Sequence, residues 1–73
     1  MKKKDQVEIP RFIKLPEVKR LTSLSTSEVY RRIGKGAFPK QIQIGNKSVV
    51  WLEREVLAWL DTMIAGREFD PEA

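Results

Sequence analysis

A short segment of the chain marks the start of a helix with two independent local signals. Ser25 is a favourable N-cap residue, and Glu28 three positions later completes the spacing of a capping box. Leu24 before the cap and Val29 at the fourth helical position have the spacing of a hydrophobic staple. Two glycines after the last apolar residue supply a stop, so the sequence predicts a helix over residues 26–34.

A shorter helix is predicted just before it, over about residues 16–22. Pro16 suits the first turn of a helix because its missing N–H costs nothing there, and Glu17 is favourable against the helix dipole. Only the residues from Thr22 to Ser25 join the two helices, which is the length of a helix-turn-helix connection. Links this short also occur in helical bundles that bind no DNA, so the spacing alone leaves that alternative open.

In the second half of the chain, the spacing of apolar residues changes from a helical pattern to the alternation typical of a β-strand. Ile42 and Ile44 alternate with glutamines, turn-forming residues follow at 45–48, and Val49–Leu52 is apolar and β-rich. This pattern predicts a β-hairpin over residues 41–52, which must pack on helices because an isolated hairpin is marginal in water. The segment Phe12–Leu15 is either a brief strand or an extended lead-in.

The last predicted element is a helix over about residues 53–65. Its apolar residues form one broad stripe toward the core, which Leu57 and Ile64 widen. The residues of this stripe are Leu52, Val56, Trp59, Leu60 and Met63. We therefore predict a mainly α fold with a small β-hairpin, a winged helix-turn-helix of three helices plus a two-stranded wing. Residues 1–10 are expected to form a flexible tail, residues 11–66 the domain and residues 67–73 an acidic tail.

The inventory of side chains argues against catalysis. A chain of 73 residues with no Cys and no His has no disulfide, no thiolate or imidazole metal site, no Cys nucleophile and no Ser–His pair. Gly34-Lys35-Gly36 lacks the strand and the spacing of a phosphate-binding loop. We expect no enzyme activity, no metal and no cofactor. There is no apolar run of membrane-spanning length and no signal peptide, so the expected location is the cytoplasm.

Charge is distributed unevenly along the chain. The net charge is +4, but residues 11–50 carry nine Lys and Arg against two Glu, whereas residues 51–73 carry two Arg against six acidic residues. A basic middle and an acidic end indicate that the middle meets a polyanion such as nucleic acid, unless the clustering is only a solvated surface.

The second helix and the hairpin loop carry the predicted DNA contacts. Free N–H groups and hydroxyls at the start of this helix suit phosphates or base edges, and an arginine further along can form a two-pronged contact with guanine. The predicted DNA-binding residues are Ser25, Thr26, Ser27, Tyr30, Arg31 and Lys35 in the helix region and Asn46 and Lys47 in the wing.

Neighbouring residues receive other predictions. Arg32 lies about 100° further round the helix than Arg31 and is expected to reach phosphate or solvent. Tyr30 fits half-buried packing as well as it fits a DNA contact. Trp51 and Trp59 are expected to anchor the core, since each lies on an apolar stripe.

The order of motifs resembles the AlpA family of prophage regulators, which belongs with the MerR-like and excisionase-like winged helix-turn-helix proteins. The resemblance covers about residues 11–65. It rests on Leu15-Pro16-Glu17-Val18, Leu24-Ser25-Thr26-Ser27-Glu28-Val29-Tyr30-Arg31, Gly36-Ala37-Phe38-Pro39-Lys40, Ile44-Gly45, Val50-Trp51 and Glu55-Val56-Leu57-Ala58-Trp59-Leu60.

This resemblance implies a bacterial or prophage transcription regulator, associated with the nucleoid, that binds double-stranded DNA at a promoter or attachment site. It also implies that the second helix reads the major groove. Two alternatives stay open. One is an excisionase-type factor that bends DNA for recombination. The other is a protein-interaction module that uses the last helix, with Leu57 or Ile64 exposed. A homodimer or a cooperative oligomer on DNA is compatible with either DNA-binding role.

Overall fold

The computed structural model describes residues 9–67. The predicted tails therefore lie outside the described residues, except for Ile9, Pro10 and Arg67. Along the chain the elements are β1 (Phe12–Ile13), α1 (Leu15–Thr22), α2 (Thr26–Gly34), β2 (Ile42–Gln43), β3 (Val49–Leu52) and α3 (Glu53–Gly66). Over residues 9–67 the structure confirms a mainly helical fold with three helices, and the bounds of α2 are those that the local signals predicted.

In the part of the chain that the structure describes, the sheet has three antiparallel strands in the order β1-β3-β2. In the hairpin, Ile42 lies opposite Val50, and on the other edge of β3, Ile13 lies opposite Trp51. The prediction of a two-stranded wing was incomplete, and the segment before α1 is a strand. A hairpin leaves one edge of β3 unpaired, and the extended chain before α1 supplies that edge with partners for its N–H and C=O groups.

The core lies between the helices and the inner face of the sheet. Trp51 is fully buried, as predicted, and Trp59 packs against the core while remaining partly exposed. The indole N–H groups of both tryptophans donate to the chain between α2 and β2, to Pro39 O at 3.0 Å and Ala37 O at 2.8 Å. The buried members of the core cluster are Ile13, Val18, Val29, Phe38, Trp51 and Val56.

The turn between α1 and α2 depends on two polar residues. Ser23 adopts the left-handed conformation, with φ of 63°, and its N–H donates to Lys19 O at 2.7 Å. The Thr22 hydroxyl donates to Val18 O at 2.8 Å and accepts from the N–H of Leu24 at 3.2 Å. Ser23 thus occupies the conformation that glycine commonly supplies after a helix. The sequence predicted the end of α1 but not this strained residue.

Only one of the two hydrogen bonds of the predicted capping box is present at the start of α2. The Ser25 hydroxyl accepts a hydrogen bond from the N–H of Glu28 at 3.1 Å, as predicted. The Glu28 carboxylate, however, pairs with two arginines further along the helix, Arg31 and Arg32. Two guanidinium groups within one turn outcompete the single backbone N–H of the cap residue for the same carboxylate.

The final helix is one residue longer than predicted and extends past the core. Val56 is fully buried and Leu60 is half-buried, but Leu57, Met63 and Ile64 are exposed. The prediction that Met63 faces the core was therefore wrong. A 14-residue helix is about 21 Å long, and the short sheet and helices beneath α3 cover only its first turns. Within residues 9–67, no helix has the length and hydropathy needed to span a bilayer.

Candidate nucleic-acid interface

One face of α2 is free of the core. Val29 is fully buried and Ile33 packs against the core, which fixes how the helix is rotated. Residues at spacings of three, four and seven share a helix face. The outward face of α2 is therefore made of Ser27, Tyr30, Arg31 and Gly34, all of which are exposed.

Tyr30 is both packed and exposed. Its ring meets the buried Trp51 ring edge-on, with centroids 6.2 Å apart, and 37% of the residue stays accessible. The two sequence interpretations of Tyr30 are therefore compatible, because the ring is held by the core while part of it remains on the surface. This contact also joins α2 to the central strand of the sheet.

Arg31 is paired within its own helix. Its Nε donates to Oε1 of Glu28 at 3.1 Å, and its Nη2 bonds Oε2 of the same carboxylate. Arg32 donates from Nε to Oε2 of Glu28 at 2.9 Å, and its guanidinium lies 5.9 Å from the centroid of the Trp59 ring. The sequence predicts that Arg32 reaches phosphate or solvent, whereas in the structure it lies between Glu28 and Trp59.

The hydrogen bond between Glu28 and Arg31 shifts the pKa of each partner in favour of its charged form. The pKa of Glu28 is lowered, mainly by the hydrogen bond from Arg31 and further by the charges of Arg31 and Arg32, against a smaller opposing effect of desolvation. The same hydrogen bond raises the pKa of Arg31. Glu28 and Arg31 are therefore both charged at neutral pH.

The other predicted DNA-binding residues of this region lie at the two ends of α2. The Ser25 hydroxyl is used by the cap, whereas Thr26 is exposed in the first turn. Lys35 follows the last residue of α2, with its N–H bonded to the carbonyls of Arg31 and Arg32 and its side chain exposed. Gly34 has open space where a Cβ would lie and no positive φ, so the fold itself does not require glycine there.

Hydrogen bonds from residues at the end of β2 fix the conformation of the hairpin loop. The amide of Gln43 donates to the carbonyls of Gly45 at 3.0 Å and Asn46 at 3.2 Å, and the N–H of Ile44 donates to Ser48 O at 2.9 Å. Asn46 and Lys47 are exposed on this loop. The candidate residues thus fall into two groups, one on α2 and one on the loop, linked by the sheet.

Glu28 and Gln43 support the candidate interface, although the sequence predicts neither role. The sequence predicts Glu28 as part of the helix cap, although an acid three residues before an arginine is itself a signal for pairing within a helix. For Gln43 it indicates only a polar position in an alternating strand. Its bonds to the loop carbonyls depend on the three-dimensional shape of the hairpin, and strand periodicity carries no signal for them.

Comparison with known proteins gives two matches. A family model described as the prophage CP4-57 regulatory protein (AlpA) matches residues 11–64. The uncharacterized protein ORF88 of enterobacteria phage P4 is 50% identical over 58 residues, which are 80% of this chain and 66% of that protein. The chain thus spans slightly less than two thirds of this relative's length. The family match covers every element from β1 through most of α3, and the chain belongs to the AlpA family of prophage regulatory proteins.

Proposed function

We propose that this protein is a sequence-specific double-stranded DNA-binding transcription regulator of prophage or mobile-element genes. The observation that carries the proposal is the outward face of α2, which presents Ser27, Tyr30 and Arg31 on a helix fixed by the core. The match to a family of prophage regulators supports the regulatory role. The protein acts by occupying a promoter or attachment site, without catalysis and without a cofactor.

The α2 helix is the reading element of this proposal. An α-helix fits the major groove of B-DNA, where each base pair shows a distinct set of donors and acceptors. Ser27 and Arg31 reach base edges, while Ser25, Thr26 and Lys35 contact the backbone near the two ends of the helix. Tyr30 contributes through its exposed edge, and its packing on Trp51 limits its movement.

The hairpin loop supplies the second contact. Asn46 and Lys47 reach a neighbouring phosphate or the minor groove, and the Gln43 bonds keep the loop in one shape before DNA arrives. The segment 11–50, which holds both α2 and the loop, carries nine basic against two acidic residues. A polyanionic partner such as DNA matches this excess.

Copies of the protein cooperate on DNA through α3 in this proposal. Leu57 in the second turn of this helix and Met63 and Ile64 in its last turns are exposed, and the helix belongs to the acidic part of the chain. A contact between α3 helices would leave the basic α2 face and loop free for DNA. An excisionase-type role uses the same surfaces and differs in bending the duplex, which a circular-permutation gel detects.

The proposed function is tested by selecting duplexes from a random library with the purified protein. We expect a defined preferred site. Arg31→Ala should then lose about 1–3 kcal/mol on that site and relax the preference at one base pair. An equal loss on every sequence would assign Arg31 to phosphate, and recovery of no preferred site would reject sequence-specific binding.

A further inference from the structure

The carboxylate of Glu28 binds one particular edge of the Arg31 guanidinium. The bonds come from Nε, at 3.1 Å to Oε1, and from Nη2 to Oε2. A guanidinium has five N–H groups arranged so that Nε and Nη2 form a side edge, whereas Nη1 and Nη2 form an end edge. Glu28 therefore occupies the side edge and leaves the end edge of Arg31 unused.

The Arg31 side chain is accessible at the surface as well as paired with Glu28. The Arg31 side chain is 52% exposed, and among residues 9–67 Glu28 is its sole hydrogen-bonding partner. Two parallel N–H groups on the end edge are thus available to a ligand with two adjacent acceptors. An arginine side chain loses conformational entropy when it binds a ligand. The pairing of Arg31 with Glu28 has already removed part of that entropy before DNA is bound.

Glu28 is itself fixed by a second arginine. Arg32 donates to Glu28 Oε2 at 2.9 Å, and its guanidinium lies over the ring of Trp59 on α3. Trp59 in turn donates its indole N–H to Ala37 O at 2.8 Å. The orientation of the carboxylate is consequently determined by α3 and by the chain after α2, as well as by Arg31.

We propose that Glu28 is a specificity-determining positioning residue that presents the end edge of Arg31 to O6 and N7 of a guanine in the major groove. This inference rests on the proposed function, since it needs α2 to lie in that groove. Guanine offers two acceptors on one edge and bears no charge. A phosphate at this position would lie beside the Glu28 carboxylate, which weakens its attraction to Arg31 relative to an unpaired arginine.

The chain contains a matched pair for use as a control. On α1, Arg20 binds Glu17 with the same spacing and the same side edge, with its Nε donating to Oε1 at 3.1 Å and its Nη2 bonding Oε2. Glu17 also lies in the first turn of its helix, as Glu28 does. Glu17→Gln thus reproduces the change in charge, the position in the helix dipole and the loss of one such arginine pair on a different helix, without the second arginine that Glu28 also binds.

The test uses the selected duplex with each guanine replaced in turn by 7-deazaguanine, which lacks the N7 acceptor. The full-length wild-type protein should lose about tenfold in affinity at one guanine. Glu28→Gln should bind the unmodified duplex less tightly and lose most of that tenfold discrimination, while its affinity for random duplex does not fall. Glu17→Gln should keep the wild-type pattern. Thermal unfolding of both variants establishes that they are folded.

Arg31→Lys is the second variant, because lysine keeps the charge but has no forked edge. It should lose the same discrimination as Glu28→Gln. Discrimination that survives in either variant overturns the role of Glu28 while leaving DNA binding intact. A wild-type protein that shows no sequence preference would overturn the proposed function, and the role of Glu28 with it.

Discussion

The ring of Tyr30 stands edge-on against the buried ring of Trp51, with centroids 6.2 Å apart and planes inclined at 62°. Trp51 is the central residue of this arrangement, since it also pairs with Ile13 across the sheet and donates to Pro39 O. The outward face of α2 is thereby joined to the largest fully buried side chain among residues 9–67. A helix supported in this way holds its exposed side chains in place, as the proposed contact with DNA requires.

Replacing Tyr30 separates its packing from its surface role. Tyr30→Ala should lower the free energy of unfolding by about 1–3 kcal/mol, because the contact with Trp51 is lost. Tyr30→Phe keeps that contact, so its unfolding curve should match the wild type, while affinity for the selected duplex falls by about 1 kcal/mol through loss of the hydroxyl. Tyr30→Phe with wild-type affinity would restrict Tyr30 to a packing role.

Ser23 offers a test of the turn between α1 and α2. Its φ of 63° is left-handed, a conformation that strains a residue with a Cβ and suits glycine. Ser23→Gly should therefore raise the free energy of unfolding by about 0.5–1 kcal/mol, measured by urea denaturation, with no change in DNA binding. Ser23→Ala is the control, because it removes the hydroxyl but keeps the Cβ; an equal gain in both variants would contradict the role of φ.

Gly34 is expected to serve the interface more than the fold. Gly34→Ala should stabilise the protein slightly, by up to about 1 kcal/mol, since alanine is the better helix residue and open space surrounds its Cβ. The added methyl lies on the outward face of α2 and should weaken binding to the selected duplex. Gly66→Ala is the matched control, also at the last residue of a helix with open space. Equal DNA affinity of the two variants would remove Gly34 from the interface.

The charge state of Glu28 should follow its arginine partners. Its pKa is lowered from the ordinary value of 4.5, chiefly by the bond from Arg31. The stability that this pair contributes is therefore present above pH 4.5 and is lost as the pH falls through the lowered pKa of the folded state. In an NMR titration, Arg31→Ala should raise the pKa of Glu28 and leave that of Glu17 unchanged. An unchanged Glu28 pKa would contradict the pairing.

The sequence predicted those features that depend on neighbouring residues. The start of α2 was found because Ser25 and the spacing of Leu24 and Val29 act within one turn of helix. The sequence does not decide whether β1 is a strand, because its partner, β3, lies about 40 residues further along the chain. Glu28 was misplaced for another reason: backbone N–H and arginine compete for one carboxylate, and only the folded geometry shows which of them binds it.

The salt dependence of binding tests the central claim most directly, namely that the basic α2 face and the hairpin loop contact duplex DNA. Fluorescence anisotropy on the selected duplex should show affinity falling steeply with salt. In a plot of log affinity against log salt concentration, each phosphate contacted should add about 0.9 to the magnitude of the slope. Lys47→Ala should reduce that slope by about 0.9, whereas Arg67→Ala at the far end of α3 should leave it unchanged. A flat salt dependence, or equal slopes for wild type and Lys47→Ala, would contradict the account.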